Sequence, residues 1–347
     1  MNGAPFLGFL MAMIGGGVQG AFVLPMKYMK KWRWENGWLT YTIICCLILP
    51  WILALGLTPS IGKIYSEASW SVLIATIGFG AGWGVGSILF GLGASYLGMA
   101  MGIAIITGIN ACLGTLFPIF FLPREKALSS SSIWTIVLGM VILIAGVAIV
   151  SYAGRLRELS QKKATDLPET AASTAKKSLF LGLVICILAG IFCPMMNFSI
   201  FFGKSLQDAA VALGVAQYNA GYVLLALAVT GGAVPQIIYC SYLLSRNKSS
   251  RNFRLPGTGI NYFHGFMMAF YWVLGIVLYA FGTFVMGTRG AIWGWPLFLS
   301  CTIIVANILG VLTKEWKGAS KKAFLTMYIG IACLIIAILV VITAASR

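Results

Sequence analysis

"GFGAGWGVG", residues 78–86, places a glycine at every second position. Three structures can carry such a repeat: a phosphate-cradling loop, a flat strand, or the flank of a tightly packed helix. The surrounding composition decides among them. Hydrophobic residues make up 60% of the 347-residue chain and charged residues 9%. A soluble domain needs roughly 25% charge to clothe its surface, so the chain is an integral membrane protein. Crossing about 30 Å of hydrocarbon takes roughly 20 apolar residues as a helix. Ten runs meet that need: 5–26, 37–57, 70–94, 98–122, 133–153, 178–202, 217–243, 260–283, 290–311 and 324–345. The glycine repeat lies inside the third run. An open strand is excluded at that depth, and a nucleotide loop needs a strand and a helix N-terminus that cannot sit there. The stretch is therefore a helix. Gly78, Gly82 and Gly86 follow each other at i, i+4 and i+8, with Gly80 and Gly84 in a second row, a small-residue face for helix packing. Trp83 stands among them, a flat aromatic beside bare backbone and a platform for a sugar ring.

The net charge of +16 does not imply a nucleic-acid partner. All 24 Lys and Arg and all eight acids lie outside the ten runs, as bilayer insertion demands. Of the 24 basic residues, 18 fall in the connections after spans 1, 3, 5, 7 and 9. By the positive-inside rule these connections are cytoplasmic, they meet lipid headgroups, and both termini are periplasmic. The first run has no Lys or Arg before it and is too long for a signal-peptide core, so it is expected to remain as a span.

The basic connection 154–177 divides the chain into five spans and five. "FLG" opens span 1 at 6–8 and span 6 at 180–182, and Gly16 and Gly190 share the same offset. Five is odd, so the halves have opposite orientation. The expected architecture is all-α: residues 1–153 as one five-helix repeat, 154–177 as a cytoplasmic linker and 178–347 as the inverted second repeat, with a site between them. Pro118 and Pro194 lie inside spans, and Pro235 is expected to break span 7.

Enzyme signatures are missing. "GKS" at 203–205 lacks the P-loop glycine five residues before Gly203, since position 198 is Phe. His264 is the sole histidine, and the eight cysteines lie within spans without C-x-x-C spacing, so neither a metal site nor another cofactor is expected. The polar residues within the spans form the expected site instead. Asn261, His264, Met268, Tyr271, Trp272 and Gly275 make one stripe on span 8. Gln19, Thr107, Asn110, Asn197 and Asn307 add amides and a hydroxyl elsewhere. A cationic solute would call for an acid and a phosphate for a cation; neither charge is present. A neutral, hydroxyl-rich solute fits, with Trp83 and Trp272 covering apolar ring faces and Gln19, Asn110, Asn197 and Asn261 bonding hydroxyls. Proton coupling needs a titrating group. The candidates are His264, whose ordinary pKa is near 6.5, and the carboxylates Glu35 and Asp208 near the membrane faces. Sodium coupling and uncoupled diffusion are the alternatives.

"KKWRWE" (30–35), "FGAGWGVG" (79–86), "YLGMAMGIAI" (96–105), "GTLFP" (114–118), "DAAVALG" (208–214) and "KEW" (314–316) closely resemble the L-rhamnose–proton symporter family of the drug/metabolite transporter superfamily. The resemblance spans both halves. It implies ten helices, a bacterial inner membrane and uptake of a 6-deoxyhexose with a proton. It also implies roles for Glu35, Trp83, Tyr96, Met99, Gly102 and Asp208. The chain departs from the family pattern at Gly275, where a Gln follows the span-8 Trp, at Ile260–Asn261, and at 288–296, which lacks an Asp near two tyrosines. An exporter or exchanger of another neutral metabolite is the alternative function. A sensor or membrane enzyme would need a signalling domain or a catalytic cluster.

Overall fold

A computed structural model describes residues 3–97, 99–121, 128–164 and 179–345. Among these the chain is helical almost throughout, without a strand. Ten segments are long and apolar enough to cross a membrane: spans 1 to 10 are Phe6–Tyr28, Trp34–Leu57, Trp70–Gly93, Gly102–Phe121, Ser130–Gln161, Phe180–Ala212, Gly221–Arg246, Gly259–Val285, Gly290–Leu312 and Lys321–Thr343. The protein is an all-α, multi-pass membrane protein. The helix of span 5 continues to Ala164, and residues 165–178, most of the expected linker, lie outside the described residues.

Proline and glycine interrupt three spans. Span 1 is helical over Gly3–Gln19, turns, and resumes as a 3-10 segment over Leu24–Tyr28. Pro25, lacking an N–H, sits in the first turn of that segment. Span 6 breaks in the same way: Leu179–Phe192 ends, and Pro194 caps a second helix at Met195–Phe202. In span 2, helix Trp34–Thr42 widens to a π segment at Ile43–Ile48 just before Pro50, whose missing N–H and bulky ring disturb the bonding ladder. Span 7, by contrast, runs unbroken from Gly221 to Arg246 through Pro235, contrary to expectation. The preceding turn is Gly231–Gly232, without side chains to crowd the ring, and the Gln236 Nε2 donates to Gly232 O at 3.1 Å.

Packing follows the small residues. Span 3 lies against spans 6 and 7, span 1 against 8 and 9, span 2 against 7 and 8, and span 5 most extensively against span 10. Spans 3 and 7 meet backbone to backbone. A Cβ at Gly80 would collide with the Ala228 carbonyl, one at Gly84 with the Gly232 carbonyl, and one at Gly231 with the Ile77 carbonyl. The expected row fares unevenly. Gly86 packs on the Cys193 backbone, 2.6 Å from where a Cβ would stand, and Gly82 faces the Met195 sulfur. Gly78 packs on nothing and lines an open apolar groove of about 730 Å³ shared with Gly82, Phe192, Met195 and Val234. Helical residues four apart rotate by about 40° at each step, so such a row wraps away from any single neighbour. The tight contact belongs to Gly80 and Gly84.

Candidate substrate site

Trp83 of span 3 and Trp272 of span 8 are both buried, and their rings lie against each other with centroids 4.7 Å apart, tilted by 36°. Gly232 makes room: a Cβ there would meet the Trp83 ring at 2.7 Å. The two indoles thus pack on each other, with no gap between them for a sugar ring.

The same face of span 8 carries the rest of the centre. Gly275 lies three residues beyond Trp272. The Gln19 Oε1, buried and without a hydrogen-bond partner, stands 3.0 Å from where a Gly275 Cβ would be. One turn further, the fully buried Tyr279 donates its hydroxyl to Asn197 Oδ1. Asn197 Nδ2 in turn donates to Gly114 O at 2.7 Å and to Ala291 O at 3.5 Å. Asn197 therefore joins spans 4, 6, 8 and 9. The Trp295 ring packs on Tyr279 at 5.5 Å, and its Nε1 donates to the Asn110 backbone carbonyl at 3.3 Å. The Asn110 side-chain Oδ1 is buried without a partner. Burying an unpaired amide oxygen costs about 1–3 kcal/mol, so each of these two oxygens is an acceptor suited to a hydroxyl donor.

The remaining expected residues lie elsewhere. Asn261 clamps the backbone of Lys30, donating to its carbonyl at 2.8 Å and accepting from its N–H at 3.3 Å. It is eleven residues, about 16 Å of helix, from Trp272. His264 is half-buried at that same basic end, its ring 6.0 Å from Tyr28 and 6.2 Å from Phe263. Glu35 is buried there too, accepting from Asn247 Nδ2 at 2.9 Å and Ser249 Oγ at 2.6 Å. Asp208 is exposed and takes a bond from Lys204 Nζ at 2.8 Å. Asn307 donates to its own helix, at Ile303 O, and Thr107 is buried. Tyr96 is half-buried and Gly102 buried; the Met99 side chain lies outside the described residues. Among the described residues no three His, Cys, Asp or Glu side chains gather as a metal site.

Two buried polar centres went unread in the sequence. Gln236 Oε1 accepts from Trp38 Nε1 at 2.9 Å, Ser87 Oγ at 3.3 Å and Thr42 Oγ1 at 3.4 Å, tying spans 2 and 3 to span 7. Its signal was a lone Gln after Pro235 in an apolar run. Tyr279 extends the span-8 stripe by one more turn; the stripe had been ended at Gly275.

Ten membrane spans with indoles and amides buried among them are the build of a multi-pass transporter. Residues 1–346 match the family described as L-rhamnose-proton symport protein (RhaT), and the chain belongs to that family. Relatives named L-rhamnose-proton symporter from Yersinia pestis (strain Pestoides F) and Yersinia pseudotuberculosis serotype O:1b (strain IP 31758) are each 33% identical over 345 residues, covering 97% of this chain and 96% of the relative. A solved crystal structure 14% identical in sequence superposes with a TM-score of 0.54, covering 100% of this chain and 99% of its own, and shares the fold.

Proposed function

We propose that the protein takes up L-rhamnose or a related 6-deoxyhexose together with a proton, across a bacterial inner membrane, with its basic connections in the cytoplasm and both termini in the periplasm. The names of the relatives point to this sugar and this ion. The observation that carries the reading in this chain is the buried, unpaired Gln19 Oε1 beside Gly275, one turn from Trp272, with a second unpaired acceptor, Asn110 Oδ1, on a residue whose backbone carbonyl takes the Trp295 Nε1 bond. Sugar hydroxyls donate to them, an outer face of the packed Trp83–Trp272 pair takes an apolar ring face, and no charge is neutralised. Asn197 holds the site in shape through its three bonds. Asn261 serves the basic end rather than the sugar.

Alternating access comes from rocking of two inverted halves. Two observations support that arrangement. Adding five to each span number turns the contacts 1 with 8, 1 with 9 and 2 with 8 into 6 with 3, 6 with 4 and 7 with 3, all of which are present. The interruptions of spans 1 and 6 begin at Gly20 and Cys193, an offset of 173 that is within one residue of the 174-residue offset of the sequence repeat. Of the three proton candidates, Glu35 is favoured. It is buried, its carboxylate is bonded by neutral donors, and it joins the start of span 2 to the end of span 7. Asp208 is exposed and already matched by Lys204, and His264 is the second choice.

Uptake into proteoliposomes tests the reading. A 100 mV proton-motive force supplies about 2.3 kcal/mol per proton, enough for roughly 50-fold accumulation of a neutral sugar. Rhamnose should accumulate under an imposed inward proton gradient and merely equilibrate without one. Preference for a charged metabolite, or indifference to the gradient, would overturn the assignment.

A further inference from the structure

The connection between spans 1 and 2 lies as a strap across the basic end. It rests on the turns that close spans 7 and 9, and these turns are built alike. Ser249 N–H bonds Leu244 O at 3.1 Å, and Glu315 N–H bonds Gly310 O at 2.9 Å. The residue before each, Lys248 (φ 50°) or Lys314 (φ 61°), takes the left-handed conformation usually given to glycine in such helix ends. Each turn hands its next side chain to the strap: Ser249 to Glu35, Glu315 to Lys27.

The two attachments differ in kind. Towards spans 7 and 8 the strap is sewn down along its length. Asn36 Nδ2 donates to Ser249 O at 3.0 Å, Trp32 Nε1 to Asn252 O at 3.1 Å and Lys31 Nζ to Pro256 O at 2.8 Å, while Asn261 holds the Lys30 backbone. Towards span 9 the side-chain bonds among the described residues gather at one node, while Gly20, at the start of the turn, packs on the span-9 backbone, 2.7 Å from Thr302 O to where a Cβ would stand. Glu315 pairs with Lys27 and, at 3.4 Å, with Arg157 of the span-5 helix. The Lys27 and Glu315 side chains are 42% and 31% exposed, and ion pairs so exposed are weak and screened by salt. The node is fixed on its far side: Gln161 Nε2 donates to Glu315 O at 2.7 Å, and the Arg157 guanidinium lies over the Trp316 ring. Lys27 is therefore the partner free to leave. It stands on the 3-10 segment Leu24–Tyr28, just beyond the turn that follows Gln19.

We propose that Glu315 is the latch of a gate at the basic end: its pairing with Lys27, backed by Arg157, holds the strap closed, and the strap swings on its span 7–8 attachments when that pairing breaks. The latch rests on the transport reading for its purpose but not for its test. Hydrogen exchange on the purified full chain, read by mass spectrometry over residues 20–33, follows the strap without any sugar present. Glu315→Gln and Lys27→Met should each raise exchange there by up to about 5-fold, the range such ion pairs allow. The double variant should exchange no faster than either single one, because both remove the same contact. Added salt at 0.5 M should loosen the parent strap and leave Glu315→Gln unchanged. Exchange over 247–261, and over the packed helices of spans 5 and 10, should stay as in the parent. An unchanged strap, additive effects, or loosening shared by 247–261 or by spans 5 and 10 would overturn the latch. If the latch holds and rhamnose is not transported, only the substrate assignment fails.

Discussion

A single methyl group placed on each of three span-3 glycines should give three different outcomes. At Gly80, an alanine Cβ would overlap the Ala228 carbonyl. Backbone cannot rotate aside as a side chain can, so spans 3 and 7 must separate. Overpacking of this kind costs about 1–3 kcal/mol; the helix propensity that alanine recovers is the same at Gly91, so Gly80→Ala should fall about 1–3 kcal/mol below Gly91→Ala. At Gly82 the obstacle is the Met195 sulfur, part of a side chain that can adopt another rotamer, so the loss should stay below about 1 kcal/mol. At Gly91 nothing lies within 4 Å, and alanine should be neutral or slightly stabilising. Equilibrium unfolding in mixed detergent micelles, followed by helical circular dichroism, measures the order. Gly80→Ala proving as stable as Gly91→Ala, or Gly82→Ala proving the worst of the three, would refute the backbone-contact account.

Other perturbations address the site. Trp83→Ala should weaken sugar binding at least tenfold in isothermal titration while preserving the fold, since Gly232 and Trp272 remain to support the region; unchanged affinity would remove Trp83 from the site. Asn110→Leu, which deletes an unpaired acceptor, should cost the sugar one hydroxyl bond, about 1 kcal/mol or roughly fivefold in Kd, and leave stability equal or better; a large loss of stability would show the amide to be structural. Asn197→Leu should destabilise strongly, by about 2–4 kcal/mol on thermal unfolding, because it strands the Tyr279 hydroxyl and frees Gly114 O. Glu35→Gln should abolish uphill uptake while sparing sugar exchange, and His264→Gln should retain both; the opposite pattern would move the proton to the histidine.

The number of spans and their helical nature were legible because membrane insertion imposes a long, charge-free run on each, a constraint read residue by residue. The interruption at Pro194 was equally legible, since a missing N–H has a local effect. What escaped depends on neighbours. Pro235 reads the same as Pro194 in the sequence, yet its helix continues because Gly231–Gly232 precedes it and Gln236 bonds back to Gly232. Gly78, Gly82 and Gly86 are spaced as one helical row, but of them only Gly86 packs on backbone, against span 6, while Gly80 and Gly84 meet span 7; which glycines bear backbone contact is set by where the neighbours cross, and no local pattern encodes a crossing. Asn261 and Asn110 are both amides in apolar runs. Only the fold tells that one is spent on Lys30 and the other is unpaired. Trp83 and Trp272 were each identified, while their mutual contact, 189 residues apart in sequence, was not.

The separation of charge from sugar limits how coupling can work. Glu35 bonds the turn at Asn247 and Ser249, fifteen or more residues beyond Gly232, the span-7 residue that packs on the Trp83 ring, which puts it about 22 Å along span 7 from that ring. His264 is eight residues, about 12 Å, from Trp272 on span 8. A proton on either group therefore does not touch the sugar. Coupling between such sites can only be carried by a conformation that both favour. The strap supplies a physical link, since it holds Glu35 at one end and leads through Lys27 back to Gln19 at the other. On the proposed reading, protonation of Glu35 would weaken its acceptor bonds to Asn247 and Ser249 and so bias the strap, and sugar at Gln19 would bias the same segment from the opposite side. A carrier for an uncharged sugar can in this way keep its centre free of ionisable groups and place the proton chemistry at the membrane face, where a carboxylate is far less costly to bury.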